Sequence, residues 1–207
     1  MARRGRSLTL VKWAAGLALA AVAYLGLQYG ALLTEMDRAA RLYGSGDIEG
    51  ALATYEGVEQ QIRAYRVMRL IPLRDRQNLF LNEARLLYVL KQYDDAIERL
   101  GSEDAISGVT TDGRFFQLRG NIGFRRARLT FQQAVVKDVQ LLEEDLLSAE
   151  DSLLESLRLN PDDWDAKFNF EFVNRMRKSL TSKPEDVKLL QESEKPQIKQ
   201  LPPESAG

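Results

Sequence analysis

The first pattern along the chain is an uninterrupted apolar stretch close to the N-terminus. From Trp13 to Leu33 the one strongly polar side chain is Gln28. Residues 13–33, at roughly 1.5 Å of rise per residue, would form a helix about 31 Å long, which matches the thickness of a bilayer core. Because the stretch is apolar on every face, it predicts a transmembrane helix and not a half-buried helix of a soluble domain.

The charges on either side of this stretch indicate its orientation. Residues 1–12 contain three arginines, one lysine and no acid, whereas Glu35 and Asp37 follow the stretch. The positive-inside rule therefore predicts a cytoplasmic basic segment at 1–12, a signal-anchor helix at 13–33 and a remainder on the far side of the membrane.

A cleaved signal peptide is the alternative interpretation of the same stretch. Ala21-Val22-Ala23 has the small-x-small pattern of a cleavage site. The apolar run continues beyond Ala23 as far as Leu33, which favours an anchor. Both interpretations export the rest of the chain.

Beyond residue 34 the apolar residues recur at helical spacing, and no segment as far as residue 180 shows sustained strand alternation. In the first pair of predicted helices, Gly44-Ser45-Gly46 breaks the pattern and Asp47 is placed to cap the next helix. A second pair has its turn at Lys91-Gln92. The apolar positions of the two pairs are Ala39, Leu42, Tyr43, Ile48, Ala51, Leu52, Tyr55 and Val58, then Ala84, Leu87, Tyr88, Tyr93, Ala96, Ile97 and Leu100.

Each pair resembles a tetratricopeptide repeat in the placing of its small residues. Ala39 precedes Ala51 by twelve positions, and Ala84 precedes Ala96 by the same interval. Small residues at these positions would let two antiparallel helices approach closely. The two pairs are offset by 45 positions, compared with about 34 in the repeat family. The loop that contains Ile71-Pro72 accounts for the excess.

A third pair of helices is predicted in the second half of the chain, at 114–128 and 146–159. Gly120 takes the small position opposite Ala149, and Pro161 follows Ala149 by twelve residues, as it does at the end of such a repeat. The segment 125–147 is longer than the repeat pattern allows. These two helices must therefore be extended or carry an insert.

A last helix is predicted to begin after Pro161 and to cap the stack. It would run from Trp164 to about Arg177, and acidic residues would complement the dipole at its start. Its expected buried residues are Trp164, Phe168, Phe172 and Met176. The sequence thus predicts an all-α fold, with an N-terminal transmembrane helix, a tetratricopeptide-like helical-hairpin stack over 34–179 and a disordered tail at 180–207.

Composition narrows the chemistry that such a chain can perform. The chain contains no cysteine and no histidine, which excludes thiol nucleophiles, Cys/His zinc sites and Ser-His-Asp triads. A net charge of -1 gives no support for nucleic-acid binding. The acidic runs at 143–145 and 162–165 lack the spacing of a calcium loop, and Gly44-Ser45-Gly46 is too short for a phosphate loop. We therefore expect no enzymatic activity, no cofactor and no small-molecule substrate.

Candidate binding residues lie on the helices that would line a concave groove. Asn121 directly follows Gly120, and Asn169 lies on the equivalent face of the capping helix. The pair resembles groove asparagines that hold the backbone of a bound peptide through their side-chain amides. The other candidates, which would add polar contacts or positive charge for an acidic segment, are Gln117, Arg119, Arg125 and Lys167. The alternative is that both asparagines make polar contacts between helices and that the basic residues form a solvated face.

Two segments are similar to the MxaK family. Residues 116–127 read FQLRGNIGFRRA, where that family has an "RYNLGN…RRA" helix, and residues 149–169 include LNPDDWDAKFN, where it has "LDPDDWDARYN". The N-terminal anchor and the insert between the two segments are also similar. The chain departs from the family at Phe170, where a leucine is usual, and at Gly123 and Phe124.

The resemblance implies a function as well as a fold. MxaK proteins are single-pass accessory factors in the maturation of bacterial methanol dehydrogenase, and they resemble Bat aerotolerance repeat proteins encoded with MoxR-type ATPases and von Willebrand factor A proteins. The resemblance therefore implies an assembly factor of the bacterial inner (cytoplasmic) membrane, with its C-terminal domain in the periplasm. Its partners would be proteins of that kind.

Three classes of function remain to be compared. The first is a membrane-anchored adaptor, which a polar groove would favour. The second is a structural subunit of a larger membrane complex, which exposed aromatic residues on the folded surface would favour. A membrane-bound hydrolase is the third, and no motif in the sequence supports it.

Overall fold

The computed structural model describes residues 3–66, 68–102 and 112–182. This part of the chain forms seven α-helices and one short 3-10 helix, with no strand, which confirms the all-α prediction. The α-helices are α1 (Arg3–Gly44), α2 (Ile48–Ala64), α3 (Leu73–Val89), α4 (Tyr93–Gly101), α5 (Gly113–Gln133), α6 (Val139–Leu159) and α7 (Trp164–Ser182), and the 3-10 helix is Met68–Leu70.

The helices pack in chain order. Each helix from α1 to α7 packs against the next one, and α3 and α5 also contact the helix two places further along, α5 and α7 respectively. Because short connections join most of them, the chain folds back on itself at each turn. The result is a layered stack in which α3 and α5 have neighbours on several sides.

Helix α1 has two parts with different surroundings. Residues Lys12–Gln28 are exposed along their whole length, and the helix is long and apolar enough to cross a membrane. From Tyr29 onwards one face of the helix packs on a core cluster that includes Met36 and Ala39. The helix continues without a break across the predicted boundary at 33/34. The last five residues of the predicted span therefore already belong to the packed domain.

The predicted turns and caps are confirmed at the first two helix pairs. Gly46 has a φ of 88°, a conformation that glycine adopts without strain, directly after α1 ends. The Oδ1 atom of Asp47 accepts a hydrogen bond of 2.9 Å from the backbone N–H of Gly50 and so caps α2. At the second turn Lys91 has a φ of 64°.

The small residues singled out in the sequence lie at the contacts between paired helices. Ala39 and Ala51 are completely buried in the cluster formed mainly by α1, α2 and α3. Ala84 and Ala96 are completely buried in the cluster formed by α3, α4 and α5. At Gly120 an added Cβ would lie 3.0 Å from the carbonyl oxygen of Ala149. A larger side chain at these positions would push the paired helices apart.

The long middle of the third pair consists of extended helices. Helices α5 and α6 have 21 residues each and are separated by five residues, 134–138. Asp138 Oδ1 caps α6 by accepting a hydrogen bond of 3.0 Å from the backbone N–H of Leu141. The segment 125–147 therefore adds turns to both helices.

The prediction for the last helix was wrong for two of its four aromatic and apolar residues. Trp164 is 77% exposed and Phe168 is 56% exposed. Phe172 packs edge-on against Phe124 with ring centroids 5.5 Å apart, and Met176 is partly buried. Each step of four residues advances about 40° around a helix, so Trp164 lies on a different face from Phe172. No described helix covers that face.

Helix α7 also ends later than expected. It extends to Ser182, and Leu180 is buried in a third core cluster, which also includes Phe124 and Leu153. The first three residues of the predicted tail are therefore helical. The remainder of that prediction, 183–207, lies outside the described residues.

Candidate protein-binding surface

The two candidate asparagines contact each other between α5 and α7. The Nδ2 atom of Asn169 donates a hydrogen bond of 3.0 Å to the Oδ1 atom of Asn121, and both side chains are buried. A buried amide that is hydrogen-bonded across a helix–helix contact fixes the relative position of the two helices. This geometry matches the interpretation in which the asparagines stabilise the stack. Their contact with a client protein stays a prediction.

Gln117 forms a second polar link between the same two helices. Its side chain is 1% exposed, and its Nε2 atom donates a hydrogen bond of 3.4 Å to Oδ1 of Asp163. The same carboxylate oxygen accepts a hydrogen bond of 2.9 Å from the backbone N–H of Ala166 and thereby caps α7. Gln117 therefore holds the start of α7 against α5.

Two of the three candidate basic residues, Arg125 and Lys167, lie at the edges of this buried group. The Nε atom of Arg125 donates a hydrogen bond of 3.4 Å to the hydroxyl of Tyr88, so Arg125 extends towards α3. The Nζ atom of Lys167 lies 4.8 Å from the ring centroid of Trp164, within the range of a cation–π contact. Both side chains are half-buried. The structure thus brings Gln117, Asn121 and Asn169 together and places the two cations apart.

Arg119 has acidic neighbours. It lines an open groove of about 410 Å³ between α5 and α6, together with Glu144, Asp151 and Glu155. One basic and three acidic side chains give this groove a negative charge. The groove is therefore better suited to a basic segment than to the acidic segment expected from the sequence.

The sequence interpretation missed a polar group on α3. The Nδ2 atom of Asn82 donates a hydrogen bond of 3.0 Å to the hydroxyl of Tyr55, and Arg85 donates one of 3.3 Å to Oδ1 of Asn82. Burial, the largest effect, raises the pKa of Tyr55 to about 12. Nearby, Arg114 donates a hydrogen bond of 3.3 Å to Oδ1 of Asn78.

A signal for this group was present in the sequence. Asn78, Asn82 and Arg85 recur at the i, i+4 and i+7 positions of one helix, and Gln117 and Asn121 have the same spacing on α5. Both stripes point into contacts between neighbouring helices. A polar stripe at helical spacing therefore marks an internal contact in this fold and not a solvated face.

A charged cluster connects α2, α3 and α4. Arg99 places its Nη1 atom 2.7 Å from Oε2 of Glu59 and its Nε atom 3.1 Å from Oε2 of Glu83. Glu83 is completely buried, and neither of its carboxylate oxygens accepts a hydrogen bond from the described residues. Burial raises the pKa of Glu83 to about 8, although the charge of Arg99 opposes the shift. The sequence interpretation did not identify this cluster either.

Within the described residues, the fold and surface define an all-helical protein with one helix long and apolar enough to cross a membrane and a layered helical domain. Comparison of the chain with protein-family models, with curated proteins and with solved structures finds no match.

Proposed function

We propose that the protein is a membrane-anchored adaptor or assembly factor that holds partner proteins on its helical domain. The observation that carries the proposal is the continuity of α1, which passes from an exposed apolar segment into the core of the domain without a break. A helix of this kind fixes a domain at the membrane surface. A freely diffusing domain would gain nothing from the exposed apolar residues 13–28.

The repeat-like packing supports the adaptor interpretation. Helices pack in chain order with buried small residues at the contacts between pairs, which supports the tetratricopeptide-like stack that we propose. Stacks of this kind present extended surfaces to other proteins. We propose the periplasm as the location of the domain because the basic residues precede the membrane segment. The similarity to MxaK-type factors points to partners such as a MoxR-type ATPase or a von Willebrand factor A protein.

The proposed partner surface is centred on α5 and α7. The buried pair Asn121 and Asn169 fixes the two helices relative to each other. The exposed aromatic side chains of Trp164 and Phe168, with Lys167 beside them, then supply contact area. Aromatic residues of this type dominate the binding energy of many protein interfaces.

The test is capture of partners from native membranes with the full-length protein after crosslinking. The Trp164→Ala, Phe168→Ala double variant should lose the partner, because both side chains are exposed and contribute little to the fold. The matched control is Leu141→Ala with Leu147→Ala, which removes two exposed apolar side chains from α6. Equal capture by both double variants would contradict the proposed surface.

A second variant tests the asparagines separately. The Asn121→Ala, Asn169→Ala double variant removes both ends of the buried hydrogen bond, so neither amide is left unpaired. If this variant is folded, as judged by circular dichroism, and still captures the partner, the asparagines stabilise the stack only.

A separate measurement tests the anchor. The mass of the protein in the same membranes shows whether the chain is cleaved at Ala21-Val22-Ala23.

A structural subunit of a larger membrane complex is the second candidate function. The exposure of Trp164 and Phe168 favours it, because aromatic side chains on an uncovered helix face are typical of permanent interfaces. The two functions differ in how readily the bound partner protein exchanges. An adaptor should release its captured partner on dilution or addition of unlabelled protein, whereas a subunit should retain it through purification.

A further inference from the structure

The end of the domain nearest to the apolar part of α1 carries exposed apolar side chains. We call this end the lower edge and define it as residues 63–66 and 68–74. Tyr65 is 75% exposed, Leu70 is 70% exposed and Leu73 is also exposed. These residues belong to the end of α2, the 3-10 helix and the start of α3. An exposed apolar group of this kind on a soluble surface needs an explanation.

The lower edge lies beside the membrane-competent part of α1. A mostly apolar groove of about 1080 Å³ separates them, with Val22, Leu25 and Tyr29 on one wall and Ile62, Leu70 and Pro72 on the other. The hydroxyl of Tyr29 donates a hydrogen bond to the buried carboxylate of Asp75, which ties α1 to the start of α3. The lower edge is therefore held at the level of residues 22–29 of α1.

That level determines the depth of the lower edge in a bilayer. If the bilayer core ended at Leu33, the lower edge would lie between about 6 and about 16 Å inside it, and the deeper part of this range is too deep for arginine side chains. The apolar residues Leu8, Leu10 and Val11 extend the span in the other direction, and residues 8–28 also give a helix of about 31 Å. Lys12 then lies about 6 Å from the end of this span, where a lysine side chain can extend to the headgroups. The lower edge then lies in the outermost 10 Å or so of the bilayer, where interfacial segments bind.

The charge of the lower edge fits the same location. Between Gln60 and Arg74 the sequence has four arginines and no acidic residue. Arg66 and Arg74 are exposed, and the φ of 54° at Arg66 turns the chain away from α2. The carboxylate of Glu59 lies 2.7 Å from Arg63 but is itself almost fully buried. Exposed arginines around apolar side chains are the composition of a segment that binds anionic headgroups.

We infer that the lower edge is a second membrane-contacting element, in which Tyr65, Leu70 and Leu73 enter the boundary between headgroups and acyl chains while Arg66 and Arg74 bind anionic phospholipid headgroups. The inference rests on the proposed membrane anchoring. Its occupant is the bilayer surface itself, and the groove beside α1 is the place where lipid chains would fill the space between anchor and domain.

Spin labels on the full-length protein in vesicles test the depth directly. The chain contains no cysteine, so each single cysteine variant carries one label. The variants are Ala20→Cys in the middle of the apolar part of α1, Leu70→Cys at the lower edge and Val135→Cys in the fully exposed connection between α5 and α6. Collisions with oxygen and with a water-soluble nickel chelate are compared in vesicles of phosphatidylcholine with phosphatidylglycerol.

The inference expects the labels at positions 20 and 70 to favour oxygen and the label at 135 to favour the nickel chelate. If the label at 70 behaves like the one at 135 while the label at 20 is in the bilayer, the anchor stands and the lower edge does not dock. If the label at 20 is also in water, the anchoring itself fails and the proposed function fails with it.

The role of Arg66 and Arg74 is tested by the dependence of docking on anionic lipid. The docked fraction of the label at position 70 should be larger in vesicles with phosphatidylglycerol than in pure phosphatidylcholine. The Arg66→Gln, Arg74→Gln variant should lower the docking equilibrium by about fivefold for each arginine. The matched control is Arg119→Gln with Arg175→Gln, two exposed arginines on α5 and α7. An equal response of both double variants would overturn the role of Arg66 and Arg74.

Discussion

The apolar part of α1 is exposed along Lys12–Gln28, whereas eleven consecutive residues of α3, Asn78–Tyr88, are all buried. The first segment has one strongly polar residue after its N-terminal lysine, and the second contains Asn78, Asn82, Glu83 and Arg85. These two segments therefore reverse the usual relation between hydropathy and burial: the apolar segment is exposed, and the segment with four polar residues is buried. Each needs a different kind of partner in order to be stable.

The comparison of the two segments shows which surroundings the side chains of each helix need. The exposed apolar segment satisfies all its backbone hydrogen bonds internally and offers side chains that lipid can cover. In α3, by contrast, the polar side chains are covered by α2, α4 and α5 and are paired there. Burial of such groups is stable only while each partner remains in place, because an unpaired buried charge costs several kcal/mol.

The largest expected effect comes from breaking the charged cluster on the α3 side of this comparison. Arg99→Ala leaves the almost fully buried carboxylate of Glu59 with Arg63 as its partner, whereas Glu83 stays neutral because its pKa is raised to about 8. The substitution should lower the free energy of unfolding by about 2–4 kcal/mol, somewhat less than for a buried charge left without any partner. Urea denaturation of a fragment covering 29–207 would measure it. Arg158→Ala removes the exposed ion pair with Glu155 and should cost no more than about 0.5 kcal/mol. Equal costs would mean that the buried cluster contributes nothing.

A truncation series tests where the two kinds of environment meet on α1. A fragment beginning at Tyr29 retains the side chains of Tyr29, Leu32 and Leu33, which pack on the core, whereas a fragment beginning at residue 34 loses them. Both should be soluble and helical. The longer fragment should be more stable by about 2–4 kcal/mol, from partial burial of three large side chains. Equal urea midpoints would place the boundary at 33/34, as the hydropathy alone predicts.

The buried carboxyl of Glu83 should make the free energy of unfolding depend on pH, and this effect is smaller when it is expressed per pH unit. Its pKa is raised from 4.5 to about 8, so between these values the folded state holds a proton that the unfolded state has lost. The stability contribution of the carboxyl is complete below pH 4.5 and is lost as the pH rises through about 8. The slope is at most about 1.4 kcal/mol per pH unit. Glu83→Gln should flatten this decline in the unfolding free energy.

The control for this pH dependence is Glu150, which behaves in the opposite way. Burial alone would raise its pKa, but hydrogen bonds from Arg177 and Asn174 outweigh burial and lower the pKa. The Arg177 Nε atom lies 2.7 Å from the carboxylate. Glu150 therefore contributes stability above the ordinary pKa of a glutamate and loses it as the pH falls. Glu150→Gln should change the acid limb only, and an unchanged slope in Glu83→Gln between pH 5 and 8 would refute the assignment.

Local chemistry made part of this fold predictable. Asp47 caps α2, Gly46 ends the first turn, and the alanine pairs are buried at the predicted helix contacts. These features depend on neighbours along the chain or on a fixed spacing of twelve residues. A single sequence contains that information because sterics and hydrogen bonds at a turn involve few residues.

The missed features depend on which helix covers which face. Trp164 and Phe168 have the spacing of a buried stripe, but α7 is the last described helix and no other described helix packs on that side. Conversely, Asn82 and Glu83 have the composition of a solvated face, but three other helices surround α3. Of the candidate site, the sequence placed Asn121 and Asn169 on equivalent faces of helices that would line a groove, and only the packing showed that the two side chains hydrogen-bond to each other.

The unbroken course of α1 has a geometric consequence for any neighbour in the membrane. If α1 crosses the membrane as proposed, its helical phase sets the rotational position of the whole domain about the membrane normal, because the same unbroken helix also forms the first layer of the domain. One residue inserted before Tyr29 would swing the domain by about 100° and raise it by about 1.5 Å. In the proposed anchored state, the direction in which Trp164 faces would therefore depend on the number of residues that α1 places in the bilayer.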